Sequence, residues 1–381
     1  MRYLFVIVGL LLHSLVFANP TWSDTTKTYA MPLLARTPQG HIILTWNEKH
    51  ASGLTEFCMA ISKDAGKTFS EKQVIFASNG LSGSRLMRPK VLVKKDGSMI
   101  AVFANNTNPT GKRSLVILYS TSQDGKNWTT PQSVDTDPTE GIVRGFFDAV
   151  LLPNGEVAVA YLKDVKGSTK HEERDLRMAI TKNSIFQPEK LLDATVCDCC
   201  NISLLVDSKG HLNVYYRDNN NDIRDIAKLV STDNGATFSK SQILHDDRWE
   251  IKGCPHTGPF STTFGKENLI SWFAGGGQEK GLRLTNQAGK KLLLINDPTA
   301  KNAYVTASDK MAVMLWEQNN PDGTLQIAYQ KVGANHALQW LPNAENGTNA
   351  NGLVVGNELL VVHEVKNPNK RNSIKLNRVA L

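Results

Sequence analysis

From Met31 onward the chain repeats one hydrophobic pattern: an apolar run, a polar turn containing glycine, a second apolar run, then a third. MPLLART, PQG and HIILTW make the first pass, ending at Trp46. RPKVLV, KDG and SMIAVF follow from Arg88, and FFDAVLL, PNG and EVAVAYL from Phe146. NISLLVD, SKG and HLNVYY run from Asn201, and GPFSTTF, GKE and NLISWF from Gly258. Two weaker copies span AYVTA to MAVMLW from Ala303 and GLVV to ELLVVH from Gly352. Lys-Asp-Gly, Pro-Asn-Gly and Ser-Lys-Gly between apolar runs predict hairpins, because Gly and Asn accept the positive φ of tight turns. Runs of about 5–8 residues recurring every ~45–60 residues, without a sustained 3.6-residue period, predict radial blades rather than a sandwich. The fold class expected is all-β: a β-propeller, seven-bladed by repeat count with six blades as the alternative, closed by the chain termini. The last repeat lacks a fourth strand, and the segment from Thr21 to Tyr29 is expected to supply it.

Each blade must reverse direction after its third strand, and the sequence there is distinctive. SKDAGKTF (Ser62 to Phe69) and STDNGATF (Ser231 to Phe238) share Ser-x-Asp-x-Gly-x-Thr-aromatic, and STSQDGKNW (Ser120 to Trp128) is a contracted form. Asp64 and Asp233 can accept amide hydrogens inside the turn, Gly66 and Gly235 permit its backbone, and Phe69, Trp128 and Phe238 can plug the gap beneath. That chemistry is structural, not catalytic.

These motifs resemble the Asp boxes, or BNR repeats, of sialidases. The resemblance implies a propeller, usually six-bladed in that family, that cleaves terminal sialic acid from glycans with retention. It also implies three arginines on the sugar carboxylate, a tyrosine nucleophile activated by a glutamate, and an aspartate as acid/base. YAMP (Tyr29 to Pro32) is similar to the family's Tyr-Arg-Ile-Pro opening, with Ala30 where the first arginine belongs. AYVTASDKMAVMLWE (Ala303 to Glu317) resembles the segment that carries the nucleophile. It places Tyr304 at that position and Glu317 at the carboxylate that orients the first arginine. Arg88, Arg224 and Arg283 are candidate carboxylate binders. Loss of one bidentate arginine removes on the order of 2–4 kcal/mol of carboxylate binding, which weakens the expectation of ordinary sialic acid hydrolysis.

Composition adds a compartment and a class of partner. Arg2, an apolar run from Tyr3 to Phe17 and a small residue, Ala18, predict a signal peptide over residues 1–18. The expected product is a single propeller domain over 19–381, secreted or periplasmic, without a transmembrane segment. A net charge of +7 suits an anionic partner such as an acidic glycan. Nucleic acid is not expected, because the basic residues are dispersed rather than striped. Oligomeric state is not legible.

Four of the five cysteines lie before innermost strands: Cys197, Cys199 and Cys200 in CDCC, and Cys254 in CPHTGP. A propeller should bring them together at one mouth of its channel. Three readings stay open: disulfide bonding of Cys254 to one of the three, a copper or zinc site built from Cys197, Cys199, Cys200, Cys254 and His256, or a reactive thiol. Cys58 reads as a small buried apolar residue. The polar run YYRDNNNDIRD, from Tyr215 to Asp225, is expected at the same mouth. Asp148, in the first strand of the third repeat, should face the axis, where apolar walls would suit it to acid/base work.

The leading expectation is therefore a sialidase-like protein that recognises a terminal, acidic sugar, with exo-glycosidase activity as an open extension. Asp148, Tyr304 and Glu317 are the candidate catalytic residues. Arg88, Tyr216, Arg217, Asp222, Arg224, Asp225 and His256 are the candidate sugar contacts. No cofactor is expected on this reading. The alternative is a periplasmic metal-binding or redox protein that uses the cysteine cluster.

Overall fold

In the computed structural model, the described residues are 22, 24–108, 114–137, 139, 141–168, 174–277, 279–333, 336–368 and 371–381. The expected signal peptide lies outside them. Among the described residues, no helix is long and apolar enough to cross a membrane.

The apolar runs form seven antiparallel sheets, which are the blades of a seven-bladed β-propeller. Their innermost strands are Thr28–Arg36, Lys90–Val93, Arg144–Leu151, Ser203–Val206, Phe260–Phe264, Lys301–Ala307 and Gly347–Val355. The second strands are covered on both faces; Ile42–Lys49, for example, is buried at every residue but the last. A Val, Leu or Ile fully buried in this way stabilises the fold by about 1.5–3 kcal/mol. One apolar cluster fills each seam between neighbouring blades. The seam that closes the ring joins Tyr29, Leu44, Trp46 and Phe69 of blade 1 to Leu360, Val362 and Ile374 of blade 7.

Closure differs from the sequence expectation. Among the described residues, blade 7 has three strands, Gly347–Val355, Glu358–Val365 and Ser373–Ala380, and the expected fourth is not formed. Thr28 and Tyr29 instead begin the innermost strand of blade 1, pairing with Lys49 and Glu48. The apolar pattern is continuous from Tyr29 into Leu34, so one strand carries both segments. The ends are joined by side packing and by a bond from the Tyr29 amide to the Asn372 carbonyl at 2.9 Å. Blade 3 is also irregular, since its third strand pairs with both Ile185–Phe186 and Lys190–Val196.

The Asp boxes follow the third strands of blades 1, 2 and 4. Asp64 accepts from the Thr68 amide at 2.9 Å and the Thr68 hydroxyl at 2.6 Å, and Asp233 repeats both bonds with Thr237. Gly66 and Gly235 take φ of +84° and +82°, the left-handed region that disfavours a side chain. Phe69 beneath the first box is fully buried.

Candidate functional site

Four innermost strands are broken by a β-bulge near their starts. The register slips between Ala30 and Leu33 in blade 1, Lys301 and Tyr304 in blade 6, and Thr348 and Asn351 in blade 7. In blade 3 the slip falls between the partners Asp148 and Gly145. Each bulge contains a residue with positive φ: Met31 at 56°, Phe146 at 52°, Asn302 at 54° and Asn349 at 55°. Asparagine tolerates this conformation, whereas Met and Phe are held in it against their preference. A bulge bends its strand and redirects the neighbouring side chains. Three of these four bulges border one cavity.

That cavity, of about 630 Å³, opens at the mouth of the central channel. Its walls include Ala30, Arg85, His256, Glu317, Asn349 and Glu364. A ligand site of ordinary size falls at about 300–1,000 Å³. Glu317 and Glu364 occupy the same register position in successive blades, opposite the pre-bulge residues Lys301 and Thr348. Asn349 lies between them. Its amide N–H donates to Glu317 Oε1 at 2.8 Å, and its Nδ2 donates to Glu364 Oε1 at 3.0 Å.

The two carboxylates are finished differently. Glu364 also accepts from the Met31 amide at 2.8 Å and from Asn372 Nδ2 at 3.2 Å. Burial pushes its carboxyl above the usual range, against the opposing pull of these bonds and of nearby Arg88. Glu317 accepts from the Thr348 hydroxyl at 2.7 Å through Oε1, whereas Oε2 is buried without a hydrogen-bond partner among the described residues. Arg85, on a 3₁₀ turn over Arg85–Met87, reaches across the mouth and donates to the His256 carbonyl at 2.7 Å. Lys301 and Lys366 add exposed positive charge to the rim.

Below the mouth, a narrower cavity of about 110 Å³ is lined by Arg88, Asp148 and Tyr304, with Arg85 bordering both spaces. Arg88 donates to the Asn349 carbonyl at 2.8 Å, and its charge lies near Glu364 and Tyr304. Burial raises the Tyr304 phenol above its usual range, and Arg88 opposes the shift. No carboxylate among the described residues hydrogen-bonds that phenol. Asp148 does face the axis, but its oxygens are occupied: it is ion-paired with Lys90 and accepts from the Leu204 and Ala149 amides, both at 2.8 Å. Apolar residues such as Phe147, Ile202 and Phe260 line the same space, but the carboxylate itself is satisfied by a cation and two amides.

The remaining predicted sugar contacts border neither cavity. Tyr216 turns outward to Asp193 and Ser241. Arg217 is buried, donating to the Thr257 carbonyl at 2.9 Å and the Phe273 carbonyl at 2.8 Å, with Trp249 stacked 4.8 Å away. Asp225 accepts from the Arg248 and Trp249 amides, Asp222 sits in a tight turn, and Arg224 is fully buried. The run from Tyr215 to Asp225 thus folds onto the segment 245–251, held by the backbone bonds Arg224 N–H to Trp249 O and Ile251 N–H to Asp222 O and by the Asp225 carboxylate. Arg283 lies in a separate cleft of about 400 Å³ with His245 and Glu279.

Sequence reasoning missed Arg85, Asn349 and Glu364. Aligning blade 7 on blade 6 finds Glu364, since HEV stands where the Glu of WEQ does. Nothing in the sequence singles out Arg85, whose reach depends on its turn. No disulfide joins the five cysteines among the described residues: Cys58 is buried in blade 1, and the other four gather beside the mouth.

Residues 40–322 match the family model described as BNR repeat-like domain. No protein of curated function matches the sequence. Several solved structures are similar in fold. One is a protein of unknown function from Dyadobacter fermentans, 14% identical with a TM-score of 0.54, covering 83% of this chain and 96% of that one. Another is a polysaccharide lyase of family PL25, an ulvan lyase, 10% identical with a TM-score of 0.58, covering 93% and 94%. The Hadza microbial sialidase Hz136 is 15% identical with a TM-score of 0.52, covering 93% of this chain and 66% of that one.

Proposed function

This chain belongs to the BNR repeat-like domain family, and on that premise we propose that it recognises an acidic saccharide in the cavity at the channel mouth. The observation that carries the reading is Glu317 Oε2, buried at the cavity wall with no partner among the described residues. An orphaned carboxylate oxygen is costly unless a ligand donor satisfies it, and a sugar hydroxyl is such a donor. Arg85, Lys301 and Lys366 supply positive charge on the same cavity, and the whole chain carries +7, which favours an anionic sugar. Saccharide-acting proteins among the structural neighbours support this reading, and the N-terminal apolar segment is proposed to direct export.

Recognition is better supported than hydrolysis through Tyr304. That side chain lies in the narrow space below the mouth, and Ala30 leaves no arginine beside Glu317 at the position where the sialidase pattern has one. A second reading, cleavage of the bound saccharide, is favoured by Glu364 alone. Its burial-raised carboxyl at the cavity wall suits proton donation to a leaving oxygen.

Calorimetric titration with neutral, uronate-terminated and sialate-terminated oligosaccharides tests the proposal. Binding of an acidic oligosaccharide that weakens at least tenfold in Arg85→Ala and falls with added salt supports it. Absence of binding across the panel overturns it. Release of reducing ends from the bound sugar, abolished in Glu364→Gln, would establish the second reading.

A further inference from the structure

We propose that Cys197, Cys199, Cys200 and Cys254 form a binding site for one thiophilic d¹⁰ metal ion, Zn(II) or Cu(I), beside the saccharide cavity. The sulfurs of Cys197, Cys199 and Cys200 are separated by 3.9, 3.5 and 4.0 Å. Thiolates held at ~2.3 Å around one tetrahedral ion are about 3.8 Å apart, so three vertices are already spaced as the ion requires. The fourth would come from Cys254, in the connection to the next blade, which is grouped with Cys199 but not with Cys197 or Cys200, so the ion would have to draw it in. Ligand atoms of Cys199, Cys254 and His256 all lie within 4.8 Å of one another.

Two features distinguish this cluster from thiols packed for their volume. The three CDCC sulfurs are buried together while Cys254 is exposed, which leaves an approach from the mouth. Charges flank them: Asp198 accepts from the Cys254 thiol at 3.6 Å, and two arginines lie beside the CDCC sulfurs. Arg217 and Arg224 act on Cys197, and Arg217 also on Cys200. Arg217 is 1% exposed and donates only to carbonyl oxygens, so among the described residues no carboxylate compensates its charge. A buried guanidinium without an anion is costly, and a metal–thiolate set of net negative charge is the anion this pocket can hold. Each cysteine would release its thiol proton to solvent as it ligates. Because Cys254 leads directly into Pro255, His256 and Thr257, the ion would also pin that wall of the cavity.

The test uses the full mature chain purified anaerobically, without chelator. Elemental analysis should find one zinc or copper per chain, and the ion that survives competition with a chelator selective for each identifies the natural occupant. Replacement by Co(II) should give thiolate-to-cobalt charge-transfer absorption with the intense visible bands of a tetrahedral set. Cys200→Ser should abolish stoichiometric binding. Cys254→Ser, at an exposed position that packing does not need, should fold normally yet bind at least tenfold more weakly. Cys58→Ser should retain one ion. Failure of both ions to bind stoichiometrically to reduced, folded protein overturns the proposal. So does a thiol count showing the four cysteines paired as disulfides that reform in preference to metal binding.

Discussion

The amide of Asn349 donates to Glu317 Oε1 at 2.8 Å and so holds the carboxylate with its other oxygen buried and, among the described residues, unpartnered. Glu317→Gln keeps an acceptor for Asn349 but replaces the unpartnered oxygen, or its charge, with an amide. A hydrogen bond to a charged group is worth about 1.5–3 kcal/mol. Saccharide affinity should therefore fall tenfold or more, measured by calorimetry, while the melting temperature stays within a few degrees.

Glu364 gives the fold a pH dependence of defined sign. Burial raises its carboxyl above 4.5, so between that value and the native one the folded state binds more protons than the unfolded state. The stability it contributes is present below 4.5 and is lost as pH rises through the native value. Urea midpoints measured from pH 4 upward, on the order of half-unit steps, should decline less in Glu364→Gln than in the parent. Identical slopes would show that the group is not shifted.

Asp64 and Asp233 act in the opposite direction. The Thr68 hydroxyl and amide hold the Asp64 carboxyl down at about 2, and Thr237 does the same for Asp233, also about 2. Their contribution is present above 3.8 and is lost as pH falls toward 2. Replacing both by Asn should flatten the acid limb of a circular-dichroism titration and leave the neutral region nearly unchanged.

Asp148 should behave as a structural residue. It binds Lys90 and two amides in the crowded channel, so Asp148→Ala removes the carboxylate partner of a part-buried ammonium and of the Leu204 and Ala149 amides. The expected loss is about 2–4 kcal/mol in urea unfolding. Saccharide affinity of the folded fraction should change less than about threefold, well under one hydrogen bond. A large affinity loss at unchanged stability would instead return Asp148 to the site.

Gly235 combines a left-handed backbone with close packing. At φ +82° an added Cβ would meet Ile180 Cδ1 at 2.3 Å, whereas Gly40 at +81° faces open space. Gly40→Ala should cost only the conformational term, about 1–2 kcal/mol. Gly235→Ala should cost about 2–4 kcal/mol once the displacement of Ile180 is added. Equilibrium urea denaturation of the two variants separates these terms.

Much of this architecture was legible because it depends on local periodicity. Apolar runs separated by glycine turns specify hairpins, and seven copies specify a ring whose faces must be covered. Asp boxes are readable for the same reason, since Ser, Asp, Gly and Thr complete their bonds within one turn. The closing seam was not, because Tyr29 can join either blade 1 or blade 7 with the same side chains buried.

The sequence by itself determined the blades, the turns and the gathering of Cys197, Cys199, Cys200 and Cys254, each a consequence of short-range pattern repeated around an axis. Only the tertiary structure decided which polar groups point into the cavity. Bulges at Met31, Asn302 and Asn349 rotate strand ends by an amount that no residue pattern encodes, and each buried charge turns toward whichever partner the neighbouring blade presents. That is why Arg217 and Arg224 sank into the protein beside the thiols, while Glu364 and Arg85 came to face the mouth.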